Sequence, residues 1–545
     1  KEVSKEEINL MDAAWVASAP RYPAAKTLVI SLPAVEVGSV IEYEYERVKK
    51  DRPFFETTHV FRSFDPIRRK TVRLTAPASI VLRTMTDDNG IAIADEASGL
   101  EASQVIVSDT QPQGRKVAWE WSAADQGAIK REDFLPPLHS YSPTLRVTTG
   151  DWQTYAKDVL AVLREAADGQ EDAAHRAREI TDGAKTAAER IVEIRDFVAK
   201  NIRPAGPGIN GLPLDAITPA DRTLADGYGN TADRAVLLYA MLEAAGLKPE
   251  FVLVDYGSRI ASLQRLEARY PADSTFGQVL VRVRSGWAEV YLNDTNQYAE
   301  LGSTPAHGHL ALPLAQGRTE TISIAQDKQD LRQYEYRLTL TEEGDARIAA
   351  ARKNYGDSFA IRHRLFAEMP PEERNRYYQE LVAEISQAAV ADGDLVTDFD
   401  SYPGVETFAV RVDKYAVRDG EFLYFELPAS LRHLFNLRSD THENPFYRAG
   451  ALRRRISTVV ELPEGNWRLV LAPRQRRLSL PGGGGTVAVS VTAQGPDSGD
   501  AATLVFTHEV ELDPFILESQ DYPDLLEIEK QLTHAQARTV LLKRE

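Results

Sequence analysis

Hydrophobic and polar positions follow two rhythms along this chain, and the changes between them divide it. From Thr27 to about Arg146 the rhythm is mostly two. The run Thr27 to Leu32 leads through Pro33, Val35 and Gly38 into Ser39 to Glu46, where Val40, Glu42, Glu44 and Glu46 alternate with Ile41, Tyr43 and Tyr45. Side chains of a strand point alternately to its two faces, so this stretch predicts a strand with one wet face. Thr57 to Phe64, Arg69 to Thr75, Ile80 to Thr84 and Arg115 to Trp121 are further strand candidates. Many short strands with few helical stretches predict an antiparallel sandwich.

After Pro136-Pro137 and the strand-like Thr144 to Thr148, apolar residues recur at three- and four-residue intervals instead. Trp152 to Ala166 and Ala173 to Asn201 read as helices, the second with a stripe through Ile180, Ala184, Ala188, Ile191, Ile194 and Val198. Pro204, Gly206, Pro207 and Gly208 stop it. A short helix is signalled from Pro219 to Leu224, then the turn Gly227-Tyr228-Gly229-Asn230, then a helix from about Thr231 to Ala245 with Asn230 or Thr231 as its cap and Gly246 as its stop. Strands follow at Glu250 to Asp255, Gly277 to Val283 and Trp287 to Asn293, which makes an α+β domain.

The remainder is again β-rich. Tyr334 to Leu340, Ala346 to Ala351, Glu406 to Val412, Phe422 to Leu427, Arg454 to Leu462, Trp467 to Leu471, Gly485 to Thr492 and Ala502 to Leu512 are predicted strands. A helix from Pro371 to Val390 interrupts them and another closes the chain near Tyr522 to His534. The run Gly482 to Gly485 reads as a flexible hairpin tip, because it lacks the strand and Lys-Ser/Thr context of a phosphate loop. The predicted layout is multidomain: a β-sandwich at 1–149, an α+β domain at 150–325, and a β-rich region with an inserted helix at 326–545.

Composition narrows the chemistry. The chain has 545 residues, too many for one core, and a net charge of -17, which disfavours a general affinity for nucleic acid or anionic membrane. It has no cysteine, which removes disulfides, thiolate metal sites and thiol nucleophiles together. No run approaches the roughly 20 apolar residues of a membrane-spanning helix. Lys1 follows no Met and no apolar leader, which predicts a processed or trimmed form.

Leu32-Pro33-Ala34-Val35-Glu36-Val37-Gly38-Ser39-Val40-Ile41-Glu42-Tyr43, with Trp121, Pro136 and Trp152, resembles the DUF3857 type of β-sandwich, beginning partway into that domain. Gly229-Asn230-Thr231-Ala232-Asp233-Arg234-Ala235 resembles the Gly-Asp-Cys-Lys-Asp-Lys-Ala stretch that opens a helix in active transglutaminase-like (papain-like) domains. Arg454, Leu462-Pro463-Glu464-Gly465 and Tyr522-Pro523 fit the β-rich tail of the same multidomain proteins. The resemblance puts Thr231 at the nucleophile position. Phe276-Gly277-Gln278 stands where the family has Phe-Asn-His, so Gln278 holds the base position. Leu292-Asn293-Asp294-Thr295 stands for Leu-Asp-Pro-Thr, so Asn293 holds the acid position, and a slip of one residue would bring Asp294 there.

Those family enzymes divide acyl transfer among a thiolate, an imidazole and a carboxylate. A threonine hydroxyl is feeble without a base, a glutamine amide accepts no proton near neutral pH, and asparagine brings no charge. The expectation is therefore a pseudoenzyme, with Thr231, Gln278 and Asn293 joined in an uncharged hydrogen-bonded network that preserves the fold, or retained as a cleft that holds a protein, peptide or glycan. The alternative is an atypical amidase or peptidase using Thr231 or a cleft carboxylate, Asp294 or Glu289. Asn230 and Asp233 are further cleft candidates, although Asp233 and Arg234 suit the first turns of a helix equally well. His307 and His309 would share one face of a strand as metal ligands do, but no third ligand announces itself, so the reading is no metal and no cofactor. Trp121, Trp152, Trp287 and Trp467 read as packing residues before sugar-stacking ones. Arg453-Arg454-Arg455 reads as a solvated strand edge. The family resemblance implies a place outside the cytoplasm of a Gram-negative bacterium, in the periplasm.

Overall fold

The computed structural model describes residues 3–23, 25–84, 101–107, 116–286, 288–494 and 503–545. Trp287 lies outside the described residues, as do Arg115 and Ala502 at the ends of two predicted strands.

The N-terminal part contains two antiparallel sheets. In one, Thr144–Thr148 lies between Glu56–Val60 and Arg83–Thr84; in the other, Lys116–Gln126 lies between Ile67–Pro77 and Glu101–Val107. Phe61, Trp121, Ala123, Leu145 and Val147 are buried together where the sheets face each other, which closes the sandwich. Lys26–Ile30 pairs with Ile8–Asp12 in a separate ribbon. The predicted strand at Ser39 to Glu46 does not form: the stretch is unassigned, with Tyr43 and Tyr45 strongly exposed. Alternation marks which side chains would share a face, but a strand exists only where a neighbour takes its backbone groups, and no strand among the described residues does so here.

The central part packs helices on one face of a five-stranded antiparallel sheet. Its strand order is Ala288–Leu292, Gln278–Ser285, Glu250–Asp255, Leu310–Pro313, Glu320–Thr321. The single helix predicted from Ala173 to Asn201 is two, Glu171–Thr181 and Ala187–Asn201. The second begins with a capping box: Thr186 Oγ1 accepts from Glu189 N at 3.1 Å, and Glu189 Oε2 accepts from Thr186 N at 3.2 Å. The Thr-x-x-Glu spacing carried that signal within a stripe that otherwise ran through. Helix Thr231–Ala244 lies at the centre, with Val236, Leu237, Met241 and Leu242 wholly buried. Val279, Val281 and Val283 of strand Gln278–Ser285 share its core, whereas Leu280 faces the opposite side of the sheet.

The C-terminal part is built on a nine-stranded sheet. Leu452–Glu461 lies inside it, parallel to Leu331–Leu340 and antiparallel to Thr503–Leu512. The arginine run is therefore not a sheet edge. The adjoining chain supplies anions to it, Asp513 to Arg453 at 2.5 Å and Glu509 to Arg455 at 3.4 Å. Helix Gly356–Glu368 precedes the expected helix, which runs Pro371–Ile385. Gly485 is no loose tip: its φ is +108°, and a Cβ there would lie 1.9 Å from Glu511 O.

Replacing Thr186 with alanine removes one half of the capping box and is expected to cost about 1 kcal/mol. Urea unfolding should show a lower midpoint, with faster amide exchange at the start of helix Ala187–Asn201.

Candidate functional site

Asn230 is the N-cap of helix Thr231–Ala244. Its Oδ1 accepts from Asp233 N at 2.9 Å, and its carbonyl receives Arg234 N at 3.0 Å. Thr231 is thereby set at the first helical position, facing the backbone of Val279. Val279 N donates to Thr231 Oγ1 at 3.1 Å, and the hydroxyl donates to Val279 O at 3.3 Å. The hydroxyl is thus engaged both ways by the backbone of one residue.

Asn293 follows strand Ala288–Leu292 with φ +90°, a left-handed conformation that asparagine tolerates better than most residues. Its Nδ2 donates to Val279 O at 2.7 Å and Thr231 O at 2.8 Å, with Thr231 Oγ1 a more distant 3.4 Å. An amide has two hydrogens, and the two carbonyls take both. A carboxylate at this position would set acceptor against acceptor. Asn293 is thus a staple between the helix start and the strand, a task aspartate cannot perform in this geometry. Its Oδ1 is buried without a hydrogen-bond partner.

The expected Thr231–Gln278–Asn293 network is corrected at its middle member. Gln278 is exposed and makes no side-chain hydrogen bond among the described residues. Neighbouring residues of a strand face opposite ways, and it is Val279 that faces the helix. The link between Thr231 and Asn293 runs through Val279's peptide.

The candidate carboxylates turn elsewhere. Asp294 is half-buried as a residue, but its carboxyl is enclosed: Oδ2 accepts from Tyr256 OH at 2.8 Å and from the Thr304 hydroxyl, while Oδ1 is buried without a partner. Burial pushes its pKa up to about 6, against the pull of those hydrogen bonds. Glu289 lies near Arg282 at 3.6 Å and Arg284 at 3.7 Å. It alternates with Val290, which faces the helix, and so lies on the other side of the sheet. Neither acid hydrogen-bonds Thr231.

Asp233 is wholly buried, and its partners were invisible in the sequence. Oδ1 accepts from Thr218 N at 2.8 Å, and Oδ2 accepts from Tyr22 OH at 2.5 Å and Arg21 Nη2 at 2.9 Å. Tyr22 OH in turn accepts from Asn230 N at 2.6 Å. Burial, then the Asp233 charge, raises the tyrosine pKa. Arg21 also reaches Asp226 at 2.6 Å, and a Cβ on Gly206 would lie 2.3 Å from the Tyr22 ring. A segment some two hundred residues earlier in the chain therefore closes over the helix start. Arg21-Tyr22 between two prolines carried no pattern that would announce this.

His309 Nδ1 bonds Asp255 O at 3.0 Å, and its Nε2 receives Arg259 Nε at 2.8 Å, so both nitrogens are occupied. Burial, then Arg259, pushes its pKa down to about 4. Burial also lowers that of His307. No group of three or more potential metal ligands occurs among the described residues. Trp121 and Trp152 are core residues and Trp467 packs against the C-terminal core.

Comparison with known proteins places these parts. Residues 1–130 match the family model of DUF3857, a domain of unknown function with solved structures, and residues 174–300 match that of the transglutaminase-like superfamily. The chain carries both domains in that order, a DUF3857/transglutaminase-like multidomain architecture. A crystal structure of a protein named provisionally as a protease, from Parabacteroides distasonis ATCC 8503, aligns with TM-score 0.57 and 16% identity over 99% of this chain and 86% of that one. At that identity the likeness is one of fold. A protein named provisionally as a cysteine protease, from Cytophaga hutchinsonii, overlaps with TM-score 0.19 and 10% identity over 44% of this chain and 78% of that one. No curated protein matches the chain. With no cysteine anywhere in the sequence, the thiol-dependent chemistry of transglutaminases and cysteine proteases is unavailable to it.

Two outcomes test this geometry. Asn293→Asp is expected to lose about 2 kcal/mol at neutral pH by setting a carboxylate against two carbonyls, and to lose less near pH 4, where the acid is protonated and can donate. For Asp294 the native pKa of about 6 exceeds the ordinary 3.8, so the carboxyl favours the folded state fully below 3.8 and loses that contribution as pH rises through 6. Thermal unfolding of Asp294→Asn between pH 4 and 7 should be flatter than wild type by about 2–3 kcal/mol.

Proposed function

We propose that this protein is a non-catalytic member of the transglutaminase-like fold, a structural and binding protein whose partner is another protein, a peptide or a glycan. The observation that carries the reading is the Thr231 hydroxyl, which stands where the family resemblance puts the thiol and is held by Val279 from both sides. A hydroxyl becomes a nucleophile only when a base within hydrogen-bond reach removes its proton. Here its partners are the backbone N–H and C=O of Val279 and the side-chain amide of Asn293. The alternative, an amidase or peptidase served by Asp294 or Glu289, would need one of these acids to leave Tyr256 and Thr304, or Arg282 and Arg284, and cross to Thr231. We place the domains at 1–149, 150–325 and 326–545 and the protein outside the cytoplasm of a Gram-negative bacterium. The family resemblance supports that location, and no helix among the described residues is long and apolar enough to cross a membrane.

The purified chain is expected to show no glutamine-dependent amine incorporation and no peptide-amide hydrolysis above the buffer rate, and Thr231→Ala should leave both traces unchanged. Turnover that disappears in Thr231→Ala would overturn the reading.

A further inference from the structure

Where the N-terminal sandwich, the central domain and the C-terminal region meet, they enclose a cavity of about 310 Å³. The sandwich contributes Thr58, His139 and Arg146; the central domain contributes Asp255, Glu267 and Thr275, among others; Tyr447 comes from the C-terminal region. Thr231, Gln278 and Asn293 do not line it.

Its charges do not balance. Arg146 grips Glu267 with two parallel bonds, Nη1 to Oε2 at 2.8 Å and Nη2 to Oε1 at 2.7 Å, and the Thr275 hydroxyl adds a third at 3.1 Å. That pair neutralises itself. Burial, then Arg146, pushes the His139 pKa down to about 4, so its imidazole is neutral at pH 7. Asp255 remains. Its Oδ1 accepts from Gly257 N at 2.7 Å, and among the described residues the carboxyl has no other hydrogen bond and no salt bridge. A carboxylate in a confined space without a counter-charge is costly, and a cation that enters relieves the cost.

The rest of the lining fixes what kind of cation fits. Ser258, Ser274 and Thr58 bring hydroxyls, Leu263 and Tyr447 bring apolar surface, and Thr58 and Ser274 are exposed, which places them at the mouth. The volume holds about ten water-sized groups, the scale of a monosaccharide or smaller. We propose that this cavity binds a small hydroxylated primary amine of the amino-sugar or amino-alcohol class, its ammonium on Asp255 and its hydroxyls on the serine and threonine side chains. The proposal stands whether or not the Thr231 region is inert, since the two sites share no residue.

Titration calorimetry of the full chain with D-glucosamine and with ethanolamine, against glucose and ethylene glycol as neutral counterparts, tests it. At least one amine should bind about tenfold or more tightly than its neutral counterpart, a difference of about 1.4 kcal/mol. Asp255→Asn, which preserves shape, should erase that preference. Thr58→Trp, at the exposed mouth, should abolish binding with the melting temperature unchanged. Because burial raises the Asp255 pKa to about 6 against the pull of the Gly257 N–H, amine affinity should weaken about tenfold per pH unit below that value. Absence of heat with both amines at tens of millimolar, equal binding of the neutral counterparts, or an amine preference that survives in folded Asp255→Asn would each overturn the proposal.

Discussion

The buried carboxylate of Asp233 sets the terms for the middle of this molecule. A charge removed from water costs several kcal/mol unless its lone pairs are met, and here a peptide N–H, a phenol and a guanidinium meet them. The donors come from two segments outside the helix, so satisfying the charge also positions the turn at Thr218, the N-terminal residues Arg21 and Tyr22, and the helix that carries Asp233 itself. Tyr22 couples them further, because the hydroxyl that donates to Asp233 also accepts from Asn230 N. Removing one partner would strand the charge, a loss of about 3–5 kcal/mol. The helix start is therefore built into the packing of the chain, with the amides of Asn230 and Asp233 already engaged.

That constraint explains the residues beside it. A helix start used for catalysis must keep a reactive group exposed and poised, which leaves its hydrogen-bonding capacity unspent in the resting state. In this chain the capacity is spent: Thr231 closes a reciprocal pair with Val279, and Asn293 clamps two carbonyls that a carboxylate would repel. The polar replacements act as a brace between helix and sheet, and the orphaned Asn293 Oδ1 marks where a donor is missing from the brace.

How much of this could be read beforehand follows from the range of the interactions. The helix at Thr231 and the strand at Trp467–Leu471 were legible because capping and alternation are local. The break at Thr186 was equally local but hidden inside a continuous apolar stripe. Ser39 to Glu46 was misread because alternation says nothing about whether a neighbour exists, and Gln278 because an aligned position does not fix which face the side chain takes. The staple by Asn293 was half legible: its membership of a hydrogen-bonded network with Thr231 was expected, its use of Val279's backbone in place of Gln278 was not. The Arg21 and Tyr22 contacts, and the pairing of Arg146 with Glu267, join residues far apart in the sequence and leave no periodic trace.

Burial has opposite effects on the two kinds of titrating group in these interiors, and the opposition shapes the response to acid. His139, His309 and His508, all pushed down to about 4, contribute stability that is present above the ordinary 6.5 and is lost as pH falls toward 4. Asp255, Asp294 and Asp357, all pushed up to about 6, contribute in the reverse sense, penalising the fold above 6 and releasing that penalty as pH falls toward 3.8. The two sets act over nearly the same interval with opposite signs. Histidines that burial keeps neutral and carboxyls that burial keeps protonated thus pull the response to mild acid in opposite directions.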